Sequence, residues 1–192
     1  MIIIRILKAM IVSLLVVCAL IILIPIIVIV TNFTKKTERN FKIKRQENGE
    51  VIVIDVLVKR LHPLLVESLG LKNEHIVYHS IQFDDNAYGR MNKYTRQSPF
   101  GIADGYNILL SSDMMYLSDA ADTYAHEMRH VYQHVNNKYT GKYYNSKDNF
   151  AMYYFQAKER DARKYAYEFC KRPDVLAIIK DVYEEYRLNN RE

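Results

Sequence analysis

Hydrophobic residues follow different rhythms in different parts of the chain. Ala9 to Val30 is apolar almost without interruption, with Ser13 and Pro25 as its breaks. About 20 such residues span the hydrocarbon core as a helix, so the run predicts a membrane anchor over 9–30. A cleaved leader has a shorter apolar region, about 7–15 residues, followed by small residues at a cut site. This run ends without them, and Pro25 is tolerated inside a membrane helix. Residues 32–50 are polar and charged and predict a linker.

From residue 51 onward the apolar positions come in short, patterned groups. Val51 to Val58, apolar apart from Asp55, predicts a strand or the first turns of a helix reaching Leu61. Pro63 to Leu69 reads as a short amphipathic helix closed by Gly70. His75 to Phe83 and Gly105 to Ser111 read as strands, with Asp84 to Phe100 as irregular loop between them. A helix capped by Ser118 or Asp119 should run to about Asn136, with Tyr124, Met128, Val131 and Val135 as its apolar stripe. After a loop over Asn136–Asn149, one helix is expected over Ala151–Lys171. Another should run from Pro173 or Asp174 to about Leu188, turning Val175, Ile178, Ile179 and Val182 inward. The pattern predicts an α+β domain over 51–192, behind an anchor over 1–31 and a basic linker over 32–50.

Charge sharpens this picture at one place. Of the formal net charge of +5, the densest positive run is Lys35, Lys36, Arg39, Lys42, Lys44 and Arg45, beside the apolar segment. Such a cluster suits a membrane flank, and with Arg5 and Lys8 ahead of the span the count favours a cytoplasmic domain. No basic groove interleaved with aromatics and no Gly-rich phosphate loop is visible, so no nucleic-acid partner is expected. The two cysteines are Cys18, in the apolar run, and Cys170. That excludes a disulfide-stapled fold and a zinc ribbon.

The candidate chemistry lies in His126-Glu127-Met128-Arg129-His130. On a helix the two histidines stand one turn apart on one face and can bind one tetrahedral zinc ion. Glu127 can then accept a proton from an activated water. A third ligand is needed, and His134, Glu159, Asp161 and Glu168 are the candidates. His134 lies about 12 Å along the helix from His126, too far to share a metal with it. His75 and His79, about 13 Å apart on one strand face, cannot share one either. They are expected to be structural or exposed.

Glu159-Arg160-Asp161-Ala162 followed by Tyr165-Ala166 resembles the second ligand helix of the gluzincin metallopeptidases, which pair HExxH with a downstream E-x-x-A. The likeness covers roughly residues 75–170. It is nearest to small domains such as the ImmA/IrrE-like peptidases. The resemblance implies a minimal zincin-like domain with His126, His130 and Glu159 as zinc ligands, Asp161 being the alternative to Glu159. It implies peptide-bond hydrolysis with Glu127 as general base. Small Ala162 and Ala166 would let the two helices approach closely. In such folds the strand before the active helix is the sheet edge over the cleft, so strand 105–111 would receive an extended, membrane-proximal polypeptide substrate. Many gluzincins place Asp or Asn four residues after the ligand glutamate to support a ligand histidine. Arg163 stands there in this chain, so support must come from elsewhere, with Asp161 and Asp122 as candidates. Tyr143, Tyr144, Tyr153 and Tyr154 are near enough in sequence to be weighed as oxyanion donors, but in a chain with 16 tyrosines each is expected as packing or surface and none is assigned. The alternative reading is a catalytically inactive, membrane-tethered zinc-binding interaction module.

Overall fold

The computed structural model describes Ser13, Val17, Ile21 and Leu23 near the N-terminus, and then residues 41–43, 52–81, 89–98, 101–112, 114, 116–141, 144 and 149–189. The chain forms two compact units, Met1–Lys36 and Thr37–Glu192. In the first unit the four described residues are helical. Among the described residues no helix is long and apolar enough to cross a membrane. The anchor expected over 9–30 lies almost wholly outside them, as does most of the linker over 32–50.

The second unit is an α+β fold with a small mixed sheet. Residues Phe41–Ile43, expected as linker, pack onto it. Lys42 bridges Tyr116 antiparallel, the Leu117 N–H donates to the Phe41 carbonyl, and Ile43 is buried. Helix α1 spans Ile52–Leu69. Its buried residues Ile54, Leu57, Val58, Leu61, Leu65 and Leu69 recur at spacings of three and four, which settles the strand-or-helix ambiguity for helix. The helix runs through Pro63, which sits on its exposed side. Gly70, at φ 67°, ends it. The Leu71 N–H reaches back to the Val66 carbonyl at 2.9 Å, closing the last turn around a left-handed residue.

Strands β1 (Ile76–Ile81), β2 (Gly89–Ser98) and β3 (Gly101–Ser111) form a sheet of order β1-β3-β2. β1 runs parallel to β3, with Ile76 opposite Tyr106 and Ile81 opposite Ser111. β2 runs antiparallel to β3, from Gly89 opposite Leu110 to Ser98 opposite Gly101. Two expectations are corrected here. Residues 89–98 are a strand rather than a loop, and β3 is the central strand rather than the sheet edge. Polar residues on both faces of β2 left no alternation to detect, and its pairing comes from the β3 backbone.

Helix α2 spans Leu117–Val135, α3 Phe150–Phe155, α4 Ala157–Cys170 and α5 Pro173–Asn189. Tyr116 holds the N-cap position of α2 without a side-chain cap, so Ser118 and Asp119 lie inside the helix instead of capping it. The helix expected over 151–171 is broken at Gln156, which adopts an extended conformation. The Gln156 side chain bonds both the N–H and the carbonyl of Tyr144, holding the break against the loop. The core lies among α1, α2, α5 and the inner face of β3, with Leu57, Leu61, Ile108, Leu110, Met128 and Ile179 fully buried. Cys170 is buried at the end of α4, and burial pushes its thiol well above the usual range.

Candidate metal centre

Helix α2 buries one face in the core through Tyr124, Ala125, Met128 and Val131. Val135, expected in that stripe, is exposed at the helix end. The neighbouring face carries His126 and His130 and packs along α4. Ala162 and Ala166 of α4 are fully buried, and their small side chains permit the close approach. The break at Gln156 puts Glu159 in the first turn of α4, where unpaired amides favour a negative charge. Glu159 is 1% exposed.

His126, His130 and Glu159 converge. The two imidazole Nε2 atoms are 3.0 Å apart. Glu159 Oε2 lies 3.2 Å from His126 Nε2, and Oε1 lies 3.3 Å from His130 Nε2. Ligands at about 2.0–2.1 Å from a tetrahedral zinc ion stand about 3.3 Å from one another. The separations are of that order, with the two carboxylate contacts falling on different oxygens, and one ligand atom from each residue lies within 4.8 Å of the others. Glu159 Oε2 is buried without a hydrogen-bond partner, an arrangement that ordinarily costs stability and that a cation would relieve. The group could hold a metal ion.

Electrostatics agree with a site that collects positive charge. Burial resists the charged form of His126, but Glu159, Glu127 and Asp122 outweigh it and raise the pKa. Burial also pushes the Glu159 carboxyl upward, and the two histidines more than reverse that, holding it well below the carboxylate range. Glu127, buried beside them, is raised above its ordinary value by burial. Its side chain lies under the start of β2. A Cβ built on Gly89 would stand 3.2 Å from Glu127 Oε1 and 2.5 Å from Thr123 Cγ2.

The other sequence candidates lie elsewhere. Asp161 is outside the cluster and pairs with Arg129, Nε to Oδ2 at 2.8 Å and Nη2 to Oδ1 at 3.0 Å. Glu168 is exposed beside Lys164. His134 is exposed and shares a hydrogen bond with the Tyr106 hydroxyl. His75 and His79 are exposed. Arg163 Nη1 lies 4.0 Å from Glu159 Oε2, while its guanidinium covers the Tyr154 ring. Tyr143 lies outside the described residues.

Sequence reasoning missed Gln133, which is fully buried. Its Oε1 lies 2.8 Å from His130 Nδ1. Its Nε2 donates to the Lys158 carbonyl at 2.9 Å and to Asp161 Oδ2 at 2.8 Å. The signal was present, since a residue three after His130 and seven after His126 shares their helix face. No family model, curated protein or solved structure matches this chain.

Proposed function

We propose that residues 51–192 are a zincin-like, zinc-dependent metallopeptidase domain, tethered to the membrane by 9–30 and facing the cytoplasm. The observation that carries this reading is the convergence of His126, His130 and Glu159, with contacts of 3.0, 3.2 and 3.3 Å, set beside a buried carboxylate at Glu127. Zinc is favoured over harder cations because two imidazoles and one carboxylate make up the donor set. When bound there it supplies Lewis acidity and lowers the pKa of water to about 7.

The chain's own residues account for the remaining chemistry. Glu127 takes the proton of the attacking water and returns it to the leaving amine. Burial raises its pKa, which brings the carboxylate closer to the working pH and makes it a better base. His126 keeps 16% of its side chain exposed, which leaves an approach from solvent. The substrate is an extended polypeptide. It is received along β2, since β3 is central and Gly89 of β2 touches Glu127.

Arg163 supports a second reading, a zinc-binding interaction module without hydrolysis. Its cation 4.0 Å from Glu159 weakens the charge that a catalytic zinc ligand contributes. Both readings require near-stoichiometric zinc in the purified protein, lost in His126→Ala. Absence of bound metal in the wild type overturns both. Glu127→Gln is expected to keep zinc and lower cleavage of unfolded polypeptides by at least about a hundredfold. Equal cleavage by that variant removes Glu127 from the mechanism, and a zinc-loaded wild type that cleaves nothing selects the interaction module.

A further inference from the structure

We infer that Gln133 is the positioning residue of this site: it fixes the tautomer of His130 and pins the Glu159 turn of α4 to α2. The inference rests on the metal-centre reading and supplies the support for a ligand histidine that Arg163 cannot give.

The amide can be oriented in one way only. Its neighbours on one side are the Lys158 carbonyl and the Asp161 carboxylate, at 2.9 and 2.8 Å. Both only accept hydrogen bonds, so the NH2 group must face them. Oε1 is thereby turned to His130 Nδ1 at 2.8 Å and must accept from an N–H there. A neutral imidazole carries one such hydrogen, so Nε2 is left as a lone pair. His130 Nε2 faces His126 Nε2 and Glu159 Oε1, at 3.0 and 3.3 Å. With Nδ1 held as the donor to Gln133, Nε2 is the His130 nitrogen that can ligate.

The same amide brackets the third ligand. Lys158 and Asp161 flank Glu159 in the opening of α4, and Gln133 bonds both. Asp161 is itself fixed by two hydrogen bonds from Arg129. The Arg129 guanidinium lies 4.3 Å from the Tyr132 ring centroid and 5.1 Å from that of Tyr165. A continuous chain of contacts thus runs from two aromatic rings through Arg129, Asp161 and Gln133 to His130.

The test uses the full-length protein with ¹⁵N-labelled histidine, first without metal. Long-range proton–nitrogen spectra of the wild type, taken at a pH high enough that the imidazole is neutral, should show hydrogen on His130 Nδ1 alone. Gln133→Ala should give a mixture of tautomers. In Gln133→Glu a carboxylate still accepts from Nδ1 but faces the Lys158 carbonyl and Asp161, so this variant should keep the single tautomer while losing the grip on α4. Both variants should bind zinc about 10- to 100-fold more weakly in chelator competition. A single Nδ1–H tautomer in Gln133→Ala, or zinc affinity within twofold of wild type in either variant, overturns the inference. If Gln133→Ala does not fold, Gln133→Glu decides through its affinity. A wild type that binds no zinc sinks the metal-centre reading, while the metal-free spectra still decide the tautomer lock.

Discussion

Gly89 begins β2 with its α-carbon against α2, and a methyl group there would lie 2.5 Å from Thr123 Cγ2. Thr123 is β-branched and stiff at χ1, so its methyl yields only at the cost of a rotamer change or a shift of the helix. Gly89→Ala is expected to destabilise by about 1–3 kcal/mol. Thr123→Ser removes the offending methyl and should recover more than half of that loss, read as a coupling in urea unfolding. Additive effects would show that β2 does not pack on α2 as described. The residues of the candidate centre were the most legible ones. His126, Glu127 and His130 declare themselves by local spacing, because one helical turn brings them together. Glu159 was reached through a resemblance, and the structure brings it to the histidines. Gln133 escaped because its partners, Lys158 and Asp161, sit on another helix and nothing near it in sequence announces them.

Between elements, hydrogen bonds tie the frame that carries the site. The Tyr78 hydroxyl of β1 donates to Asp55 of α1 at 2.7 Å. Burial first, and then the Asp55 carboxylate, raise the Tyr78 pKa far above its ordinary value near 10. In the unfolded chain the phenol ionises near pH 10, while in the folded protein it stays protonated. Above that pH the unfolded state therefore binds fewer protons, and stability falls as pH rises. Urea unfolding between pH 8 and 11 should show a steeper decline for wild type than for Tyr78→Phe; parallel curves would refute the link. The misread elements share a physical cause. β2 is polar on both faces and owes its form to β3. The break at Gln156 rests on hydrogen bonds to Tyr144, a pairing across a loop that local propensity does not encode. α1, by contrast, was legible as apolar but ambiguous in period until its packing against α2 and α5 chose the helix.

For the folded unit as a whole, His126, His130 and Glu159 join α2 to α4, so a metal that binds all three binds the folded state alone. At free zinc a hundred times the dissociation constant, linkage adds about 2.7 kcal/mol of stability, or about 5–10 °C in Tm for a chain of this size. Chelation should remove that increment from the wild type and leave the melting of His126→Ala unchanged. An equal response in both proteins would place the metal elsewhere. The α+β class could be read from the alternation of strand-like and helical segments, but the order β1-β3-β2 could not, because it depends on a strand with no hydrophobic signature.

Cys170 gives the molecule a clock of its own. Its thiol is buried at the far end of the helix that carries Glu159, and burial keeps it protonated. A thiol reagent can reach it only when the α4–α5 corner parts, so in a Cys18→Ser background the alkylation rate counts those excursions. Because Glu159 lies at the other end of that rod, loading the centre should slow the clock, turning an inert sulfur into a gauge of how firmly the ligand helix is held.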